Sequence, residues 1–539
     1  MDGLMMRYPL TLPRILERAR TVFADQEVVS TLAGGAHRYT YRDLHQRVLK
    51  TMDVLKALGV KRGDRVATFA WNHYRHLELY WAVPAVGAVL HTLNLRLSGE
   101  QLTYIVNHAG DSVLFVDDSL LKPIEALADQ LKPVRQYVVM GDGGLPGTAL
   151  KPVADYERLM TQASPAGALP DLDENEACGL CYTSGTTGKP KGVLYTHRSN
   201  YLHAMMASMT DVLGLTESDV LMPIVPMFHA NAWGTPYSCA MTGAKLVFAG
   251  SNVQPDHILR LIASERVTLA FGVPTIWNGL LQHLRQHGGD LGTLRGMVVG
   301  GSAVPRSMIE AFQKEFGVGI IQGWGMTEMS PLGTTARLSR KMMDWPEARR
   351  FDTLAKAGKL VPNVEAKIVN DREEALPWDG KSVGELLVRG PCIASGYYNN
   401  DEAASAFTKD GWFRTGDVAS IDDHAFVQIA DRTKDLIKSG GEWISSVEME
   451  NAVMACSGVL EAAVVARPDA KWDERPVVFV VISPGKGAAT ADSILSGIAG
   501  KFAKWQLPST GDIHFIEQIP KTSVGKFDKK VLRTQITTG

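Results

Sequence analysis

A glycine-rich loop with four Ser or Thr side chains and two lysines is the segment whose residue types most clearly indicate chemistry. It reads Tyr182-Thr-Ser-Gly-Thr-Thr-Gly-Lys-Pro-Lys-Gly192. Its glycines let backbone amides face a ligand without side-chain obstruction, its hydroxyl groups can donate hydrogen bonds, and Lys189 and Lys191 add positive charge. Phosphate is the natural ligand of such a loop.

This loop differs from the P-loop of nucleoside triphosphatases. That pattern needs four residues between its first glycine and Gly-Lys, followed by Ser or Thr at the start of a helix. Here two residues intervene and Pro190 follows Lys189, so the P-loop mechanism does not transfer. A plain turn rich in glycine and threonine is the alternative interpretation of the loop taken alone.

The loop needs rigid elements to position it, and apolar segments on both sides predict two strands, at Ala177–Tyr182 and Val193–Tyr195. Cys178 and Cys181 lie in the first of these. Because no second cysteine pair follows at zinc-site spacing, two thiols on an apolar strand are favoured over structural zinc.

Short apolar runs alternate with segments of helical period along the first four hundred residues, which predicts an α/β fold with buried strands. No repeat of 20–50 residues is present. The predicted strands are Val66–Phe69, Ser112–Val116, Lys245–Phe248 and Met297–Val299, and the predicted helices include Leu44–Leu58 and Asp256–Ser264.

The last third of the chain has a different pattern. Short strands are predicted at Gly384–Val388, Trp412–Phe413 and Phe426–Ile429, and the charged segment Asp431–Asp435 that follows predicts a hinge. Beyond it we expect a small α+β domain, which predicts domains at 1–432 and 433–539. Its expected elements are helices at Ser446–Ala455 and Ile494–Ala503 and strands at Ala462–Ala466 and Val477–Ile482.

Bulk composition narrows the function classes. The 539 residues carry a formal charge of −2 and are 45% hydrophobic, so no global basic field favours nucleic acid or an anionic membrane. The start of the chain lacks the pattern of a secretory signal. The most apolar run, Leu79–Leu90, is shorter than the ~20 residues of a spanning helix. Five cysteines in a chain of this length do not suggest a disulfide framework. We therefore expect a cytoplasmic protein without a membrane span or a nucleic-acid partner.

Further motifs follow the loop in a fixed order, and together they resemble the adenylate-forming superfamily of acyl-CoA synthetases, luciferases and peptide-synthetase adenylation domains. The resemblance covers nearly the whole chain and implies an N-terminal domain of two α/β sheets plus a small β-barrel, followed by a mobile C-terminal domain. The motifs are Val225–Trp233, Val299–Ala303, Gly323–Glu328, Trp412–Asp417, Asp431–Trp443 and Ile519–Lys526.

The resemblance implies a role for each motif in activating a carboxylate, a reaction in which charge on the α-phosphate must be neutralised. Thr327 is expected to contact the α-phosphate and Glu328 to bind Mg²⁺ together with Thr183. Trp324 would stack on adenine, and Asp417 would accept hydrogen bonds from the ribose. The implied ATP- and AMP-binding residues are Thr183, Ser184, Gly185, Thr186, Thr187, Gly188, Lys191, Gly301, Ser302, Ala303, Gly323, Trp324, Gly325, Met326, Thr327, Asp417 and Arg432.

Lys526 is expected to bridge the substrate carboxylate and the α-phosphate, which makes it a catalytic residue with Thr327, Glu328 and His229. Relatives in the superfamily rotate the small domain between half-reactions, and Lys434 corresponds to the pivot. In the second orientation a CoA-side segment would approach the cleft; it comprises Lys438, Ser439, Gly440, Gly441, Glu442 and Trp443.

The acyl pocket is expected around Trp233, which in similar fatty acyl-CoA synthetases gates the fatty-acid tunnel. The other expected lining residues are His229, Gly234, Val299 and Met326, with Ala232 and Pro331 nearby. No Asp is available in this segment to bind an α-amino group, which disfavours amino-acid activation. The chain is most similar to bacterial medium-chain fatty acid–CoA ligases and to ligases of 3-(methylthio)propionate.

These features predict an ATP-dependent acid–CoA ligase of a medium-chain fatty acid, with Mg²⁺ as cofactor, ATP and CoA as co-substrates, and a homodimer as an expected assembly. The alternatives are a 3-(methylthio)propionate or long-chain fatty acid ligase, an adenylation domain that loads a carrier protein, a luciferase-like oxygenase, and an adenylate-binding protein without catalysis.

Overall fold

The computed structural model describes residues 1, 3–183, 189–432, 435–439, 442–469, 471–483, 489–522 and 526–537, with the backbone alone at 442 and 537. Several predicted site residues lie outside these ranges: Ser184, Gly185, Thr186, Thr187 and Gly188 of the loop, the pivot Lys434, Gly440 and Gly441, and the side chain of Glu442.

The largest sheet has thirteen strands, and their order is β17-β18-β19-β20-β16-β15-β14-β13-β12-β10-β11-β1-β2. The run from β14 to β1 is parallel, whereas the strands from β15 to β17 are antiparallel and occupy the region for which the resemblance implies a small β-barrel. The strands are β1 Glu27–Leu32, β2 Gly35–Thr40, β10 Val220–Pro223, β11 Lys245–Phe248, β12 Leu269–Gly272, β13 Gly296–Val299, β14 Gly319–Gly325, β15 Leu332–Thr335, β16 Gly358–Leu360, β17 Glu365–Val369, β18 Gly384–Arg389, β19 Phe413–Ile421 and β20 Phe426–Arg432.

A second sheet of seven strands, in the order β7-β6-β5-β3-β4-β8-β9, is parallel except for the pair β8–β9. That antiparallel pair holds the glycine-rich loop between its strands. The strands are β3 Arg65–Phe69, β4 Val89–Thr92, β5 Asp111–Asp117, β6 Gln136–Met140, β7 Val153–Asp155, β8 Ala177–Tyr182 and β9 Gly192–Thr196. The two strands predicted beside the loop are thus confirmed, and both cysteines of β8 are buried.

The third sheet belongs to the last hundred residues and has five strands, in the order β22-β21-β24-β23 with β25 paired to β24. Its strands are β21 Ile437–Ser439, β22 Glu442–Ile444, β23 Val459–Asp469, β24 Asp473–Ile482 and β25 Ile513–Phe515. Sequence patterns predicted two of these strands. The three short ones lack an apolar run long enough to be recognised.

Sixteen α-helical segments cover these sheets in the described part of the chain. They are α1 Leu12–Val22, α2 Tyr41–Ala57, α3 Tyr74–Ala85, α4 Gly99–Ala109, α5 Leu121–Glu125, α6 Tyr156–Gln162, α7 His197–Ser208, α8 Ala230–Trp233, α9 Thr235–Thr242, α10 Pro255–Glu265, α11 Pro274–His287, α12 Arg306–Phe316, α13 Glu347–Leu354, α14 Ser446–Met454, α15 Ala491–Ile498 and α16 Lys529–Thr537. Among the helices described, none combines the length and apolar character needed to cross a bilayer.

Local capping explains why two helices begin earlier than the sequence pattern predicts. α2 begins at Tyr41 because the Thr40 hydroxyl accepts from the backbone N–H of Asp43, whose carboxylate accepts from the Thr40 N–H. The helix predicted at Ile494–Ala503 instead spans Ala491–Ile498: Thr490 caps its start in the same way, and Gly500 follows its end.

Apolar side chains fill the space between the two large sheets and the helices between them, and a second core lies on the other face of the parallel strands. The five-stranded sheet has its own apolar side chains on both faces. It meets the larger sheet at the end of β20, where the Asp431 carboxylate accepts from the backbone N–H of Ser446 at 2.6 Å.

Candidate active site

A single cavity of about 1640 Å³ receives most of the predicted site residues that the structure describes. Its walls come from the ends of β8, β14 and β19, from the segment after β13, and from the turn before α16. The predicted residues on its walls are Thr183, Lys191, His229, Trp233, Gly301, Ser302, Ala303, Gly323, Trp324, Gly325, Met326, Thr327, Glu328, Asp417, Arg432 and Lys526. Motifs spread over more than three hundred residues of sequence therefore meet in one cleft.

The wall expected to bind ribose is built by direct strand pairing. Asp417 on β19 and Arg432 on β20 are register partners, so their side chains meet on one face of the sheet, where Arg432 Nε lies 2.7 Å from Asp417 Oδ1. Trp324 at the end of β14 donates its indole N–H to the other carboxylate oxygen at 2.8 Å. Asp417 is only 2% exposed, and these two donors compensate the burial of its charge.

Glu328 is held in the short turn that follows β14. Its carboxylate is 5% exposed, and its Oε1 accepts from the Tyr397 hydroxyl at 2.7 Å. The neighbouring Thr327 is fixed through its backbone, because its carbonyl accepts from the Tyr195 hydroxyl at 2.7 Å. Tyrosines from two other segments thus fix the backbone and the carboxylate of this motif.

Glycines allow the backbone after β13 to approach the cleft closely. A Cβ at Gly300 would lie 2.9 Å from the Gly323 carbonyl oxygen and 3.3 Å from the Trp233 ring, so a larger residue would disrupt this wall. Gly301 has φ +88°, a conformation that favours glycine. A Cβ at Gly301 would lie 3.9 Å from Cε of Lys526.

The described stem of the glycine-rich loop is closed by hydrogen bonds. The Thr183 N–H donates to the Lys191 carbonyl at 2.9 Å, and the Lys191 ammonium lies 4.9 Å from the centroid of the Tyr397 ring. The Lys189 ammonium lies 5.3 Å from the centroid of the Tyr104 ring. Both lysines therefore remain on the cleft side of the loop stem, as phosphate binding requires.

Lys526 enters the cleft from a turn in which its backbone N–H donates to the Thr522 hydroxyl at 3.2 Å. Removal from water, reinforced by repulsion from Arg432, lowers the pKa of Lys526 to about 8, although Asp417 and Glu328 favour its charged form. None of the described carboxylates forms an ion pair with its ammonium. Among the described residues, the lysine is thus held near two carboxylates without an ion-pair partner.

His229 and Trp233 line the same cleft, and the Trp233 ring lies against Gly300. Burial, together with the charges of Lys526 and Arg96, lowers the pKa of His229 to about 4, so the imidazole is neutral at pH 7. Trp233 belongs to a left-handed turn, with φ between 44° and 59° from Ala230 to Trp233. Such a turn costs roughly 1–2 kcal/mol per residue, so surrounding contacts must fix the position of the indole.

Two predicted acyl-pocket residues do not line the cleft. Val299 is fully buried in the core on the far face of β13, and its neighbour Val298 lines the cleft instead, because side chains alternate along a strand. Gly234 lies behind Trp233, where an added Cβ would meet the His203 ring at 2.7 Å. Met326 and Pro331 line the cleft as predicted.

The described part of the predicted CoA-side segment lies away from the cleft in this orientation of the small domain. Lys438 and Ser439 form β21, and Lys438 lies 3.9 Å from Asp473. Trp443 on β22 is 55% exposed. Neither Lys438 nor Trp443 lines the cavity that contains Lys526.

The described residues contain no group of three or more His, Cys, Asp or Glu side chains that could hold a metal ion. Glu328 is the buried carboxylate beside the loop stem, and no described residue donates to its Oε2. One carboxylate oxygen, the Thr183 hydroxyl and the phosphates of a nucleotide form the kind of oxygen set that Mg²⁺ accepts. The residues present fit a nucleotide-borne Mg²⁺ rather than a site made by protein alone.

Sequence reasoning missed several residues of this site. Tyr195 and Tyr397 brace the Thr327–Glu328 motif, and Arg96 lines the cleft beside the loop stem. Arg96 follows β4 in a segment without glycine-rich or catalytic signatures. The paired tyrosines at 397 and 398 are a visible signal, but the sequence does not show which hydroxyl would point inward.

The whole chain is similar to known enzymes of one class. The family model for the AMP-binding enzyme matches residues 16–398, and that for its C-terminal domain matches residues 448–526. A long-chain-fatty-acid–CoA ligase of Thermus thermophilus is 46% identical over 98% of this chain and 96% of the relative. A medium-chain-fatty-acid–CoA ligase of Ectopseudomonas oleovorans is 44% identical over 99% of this chain and 97% of its own length.

Solved structures support the same assignment. The anthranilate CoA ligase AuaEII, crystallised with anthranoyl-AMP, superposes with a TM-score of 0.86 at 26% identity, covering 98% of both chains. The family match and the fold therefore agree with the resemblance inferred from the motifs. The chain belongs to the AMP-binding enzyme family.

Proposed function

We propose that this protein is an AMP-forming acid–CoA ligase whose preferred substrates are medium-chain fatty acids. The observation that carries the proposal is the convergence of Lys526 with Glu328 and Asp417 in the cleft that also contains Trp233. A nucleotide wall, a mobile cation and an apolar pocket then meet where a carboxylate and an α-phosphate can be joined.

In the first half-reaction a carboxylate oxygen attacks the α-phosphorus of ATP, and the bond to pyrophosphate breaks. Asp417 would hold the ribose and Trp324 the adenine, while Thr327 contacts the α-phosphate. The ammonium of Lys526 would neutralise charge on the attacking carboxylate and the α-phosphate together, a preorganised interaction that is stronger in the transition state. Mg²⁺ bound through Glu328 would neutralise phosphate charge.

In the second half-reaction the CoA thiol attacks the acyl carbon and AMP leaves with one oxygen of the original carboxylate. Lys526 and the segment around Lys438 belong to the same small domain, and only Lys526 lines the cleft here. A rotation about Lys434, at the predicted boundary between residues 432 and 433, would exchange them. The imidazole of His229 is neutral at pH 7 and lies beside the expected acyl site. It can therefore orient the substrate carboxylate by hydrogen bonding without adding a second positive charge beside Lys526.

Chain length is set by the pocket beside Trp233 rather than by the nucleotide wall. The Phe271 ring centroid lies 6.3 Å from that of Trp233, and Val298 and Leu281 line the same cavity, which suits an alkyl chain. Each methylene contributes only ~0.8 kcal/mol, so neighbouring chain lengths will overlap. The two relatives, 46% and 44% identical, act on long and medium chains respectively, which shows that overall identity does not decide this preference.

A panel of linear acids of two to sixteen carbons, with 3-(methylthio)propionate included, tests the proposal. Pyrophosphate release and acyl-CoA formation should both peak at medium chain length and require CoA for turnover. A peak at 3-(methylthio)propionate or at the longest acids would show that the preferred substrate is a different acid, although the reaction is the one proposed. An adenylate trapped by hydroxylamine without any thioester would contradict the CoA ligase assignment.

A homodimer through the large domain stays a prediction from the family resemblance. Sedimentation velocity over a concentration series would test it directly.

A further inference from the structure

Tyr397 occupies a position between the two motifs that are expected to bind the metal and the phosphates of ATP. Its hydroxyl donates to Glu328 Oε1 at 2.7 Å, and its ring lies under the Lys191 ammonium at 4.9 Å. One side chain therefore contacts the buried carboxylate with its polar end and the loop lysine with its aromatic face.

The segment that carries Tyr397 is itself attached to both motifs through the backbone. The Ala394 N–H donates to the Glu328 carbonyl at 2.8 Å, and the Tyr398 N–H donates to the Gly192 carbonyl on the loop stem at 2.8 Å. The Tyr397 ring packs edge-on against Phe407 with centroids 5.6 Å apart. These contacts fix the hydroxyl in place before any ligand binds.

The hydrogen bond decides which carboxylate oxygen is available to a cation. Oε1 is occupied by Tyr397, whereas no described residue donates to Oε2, and Glu328 lines the cleft.

We propose that Tyr397 is a positioning residue for the metal–nucleotide complex: its hydroxyl aims Glu328 Oε2 at the cation carried by ATP, and its ring supports Lys191 beside the phosphates. The inference rests on the proposed function only in requiring that Mg²⁺ and ATP bind in this cleft. Partners of a metal ligand typically change metal affinity by roughly 10- to 100-fold when removed.

Tyr397→Phe tests the hydroxyl alone, since the ring and its contact with Lys191 are kept. Tyr398→Phe is the matched control, because its ring packs against His108 and the described part of the chain supplies no hydrogen-bond partner for its hydroxyl. Titration calorimetry measures ATP affinity across a series of Mg²⁺ concentrations and again in EDTA. Mn²⁺ binding in the presence of ATP, read by electron paramagnetic resonance, gives a second measurement that needs no turnover.

For Tyr397→Phe we expect the Mg²⁺ concentration at half-saturation to rise by about tenfold, with ATP affinity in EDTA and the melting temperature close to those of the unmodified protein. Tyr398→Phe should leave both affinities unchanged. An unchanged Mg²⁺ midpoint in Tyr397→Phe, an equal shift in Tyr398→Phe, or an equal loss of affinity in EDTA would overturn the inference. Failure of the unmodified protein to bind ATP with Mg²⁺ would instead overturn the proposed function.

Discussion

The two sides of the cleft differ in how their charges are balanced. On the large-domain wall Asp417 has an arginine at 2.7 Å and an indole N–H at 2.8 Å, and Glu328 has a phenol at 2.7 Å. On the small-domain side Lys526 forms no ion pair with a described carboxylate, and its pKa falls to about 8. The two carboxylates of the large-domain wall therefore have hydrogen-bond partners without substrate, whereas no described carboxylate forms an ion pair with Lys526.

Among the variants considered, Lys526→Ala should show the largest difference between the two half-reactions. We expect adenylation to fall by about 10²- to 10³-fold, the range for loss of one charge-stabilising donor, while thioester formation from supplied acyl-AMP is largely spared. Single-turnover assays of each half-reaction measure this. Lys504→Ala, which removes an exposed lysine of the same domain, is the control; equal losses in both half-reactions would contradict the assignment to one orientation.

Weakening the preformed wall should affect ATP rather than the acid. Asp417→Asn keeps the size of the side chain but removes the charge that pairs with Arg432. Because hydrogen bonds to charged groups are worth about 1.5–3 kcal/mol, KM for ATP should rise by about 10- to 100-fold with KM for the acid nearly unchanged. Asp371→Asn, at an exposed turn, serves as the control. An equal rise in KM for ATP and KM for the acid would indicate that the substitution disrupts the structure of the whole cleft rather than the ATP site alone.

The free lysine also predicts a pH dependence. The proposed role requires the ammonium form of Lys526, whose pKa in the free protein is lowered to about 8, so the side chain loses its proton as pH rises through that value. The value of kcat/KM for adenylation should therefore decline above about pH 8, by up to tenfold per unit, since kcat/KM reports the free enzyme. The kcat profile should decline at higher pH, because bound phosphates favour the ammonium. If kcat and kcat/KM decline at the same pH, bound substrate does not stabilise the ammonium form of Lys526.

The smallest effect is expected at the acyl pocket. Trp233→Ala opens space next to Gly300 and leaves the side chains of Asp417 and Glu328 in place, so the preferred chain length should shift by a few carbons while KM for ATP stays nearly constant. Because each methylene is worth ~0.8 kcal/mol, rates for neighbouring acids should change by only a few-fold. Phe316→Ala, whose half-buried ring packs against the core and does not line the cleft, is a stability control. An unchanged chain-length profile would show that Trp233 does not line the acyl pocket.

The features that could be predicted from sequence are those formed by neighbouring residues, whereas contacts between distant segments could not be predicted. Contiguous motifs such as Gly323–Glu328 were found because the residues that bind together are also neighbours in the chain. The pairing of Asp417 with Arg432 depends on strand register, and the choice of Val298 over Val299 depends on which face of β13 turns to the cleft. Tyr397 acts through a contact with a residue 69 positions away, and no local pattern reports such a contact.

Activation of a carboxylate as an acyl-adenylate in this cleft, followed by transfer of the acyl group to CoA, determines where the two carboxylate oxygens end up. The most direct test is turnover of a medium-chain acid labelled with ¹⁸O in both carboxylate oxygens, with mass spectrometry of all phosphate-containing products. We predict one ¹⁸O atom in AMP and none in pyrophosphate, because the carboxylate oxygen that attacks the α-phosphorus stays with it when the thiol displaces AMP. Label in pyrophosphate, unlabelled AMP, or ADP as the product would contradict the account.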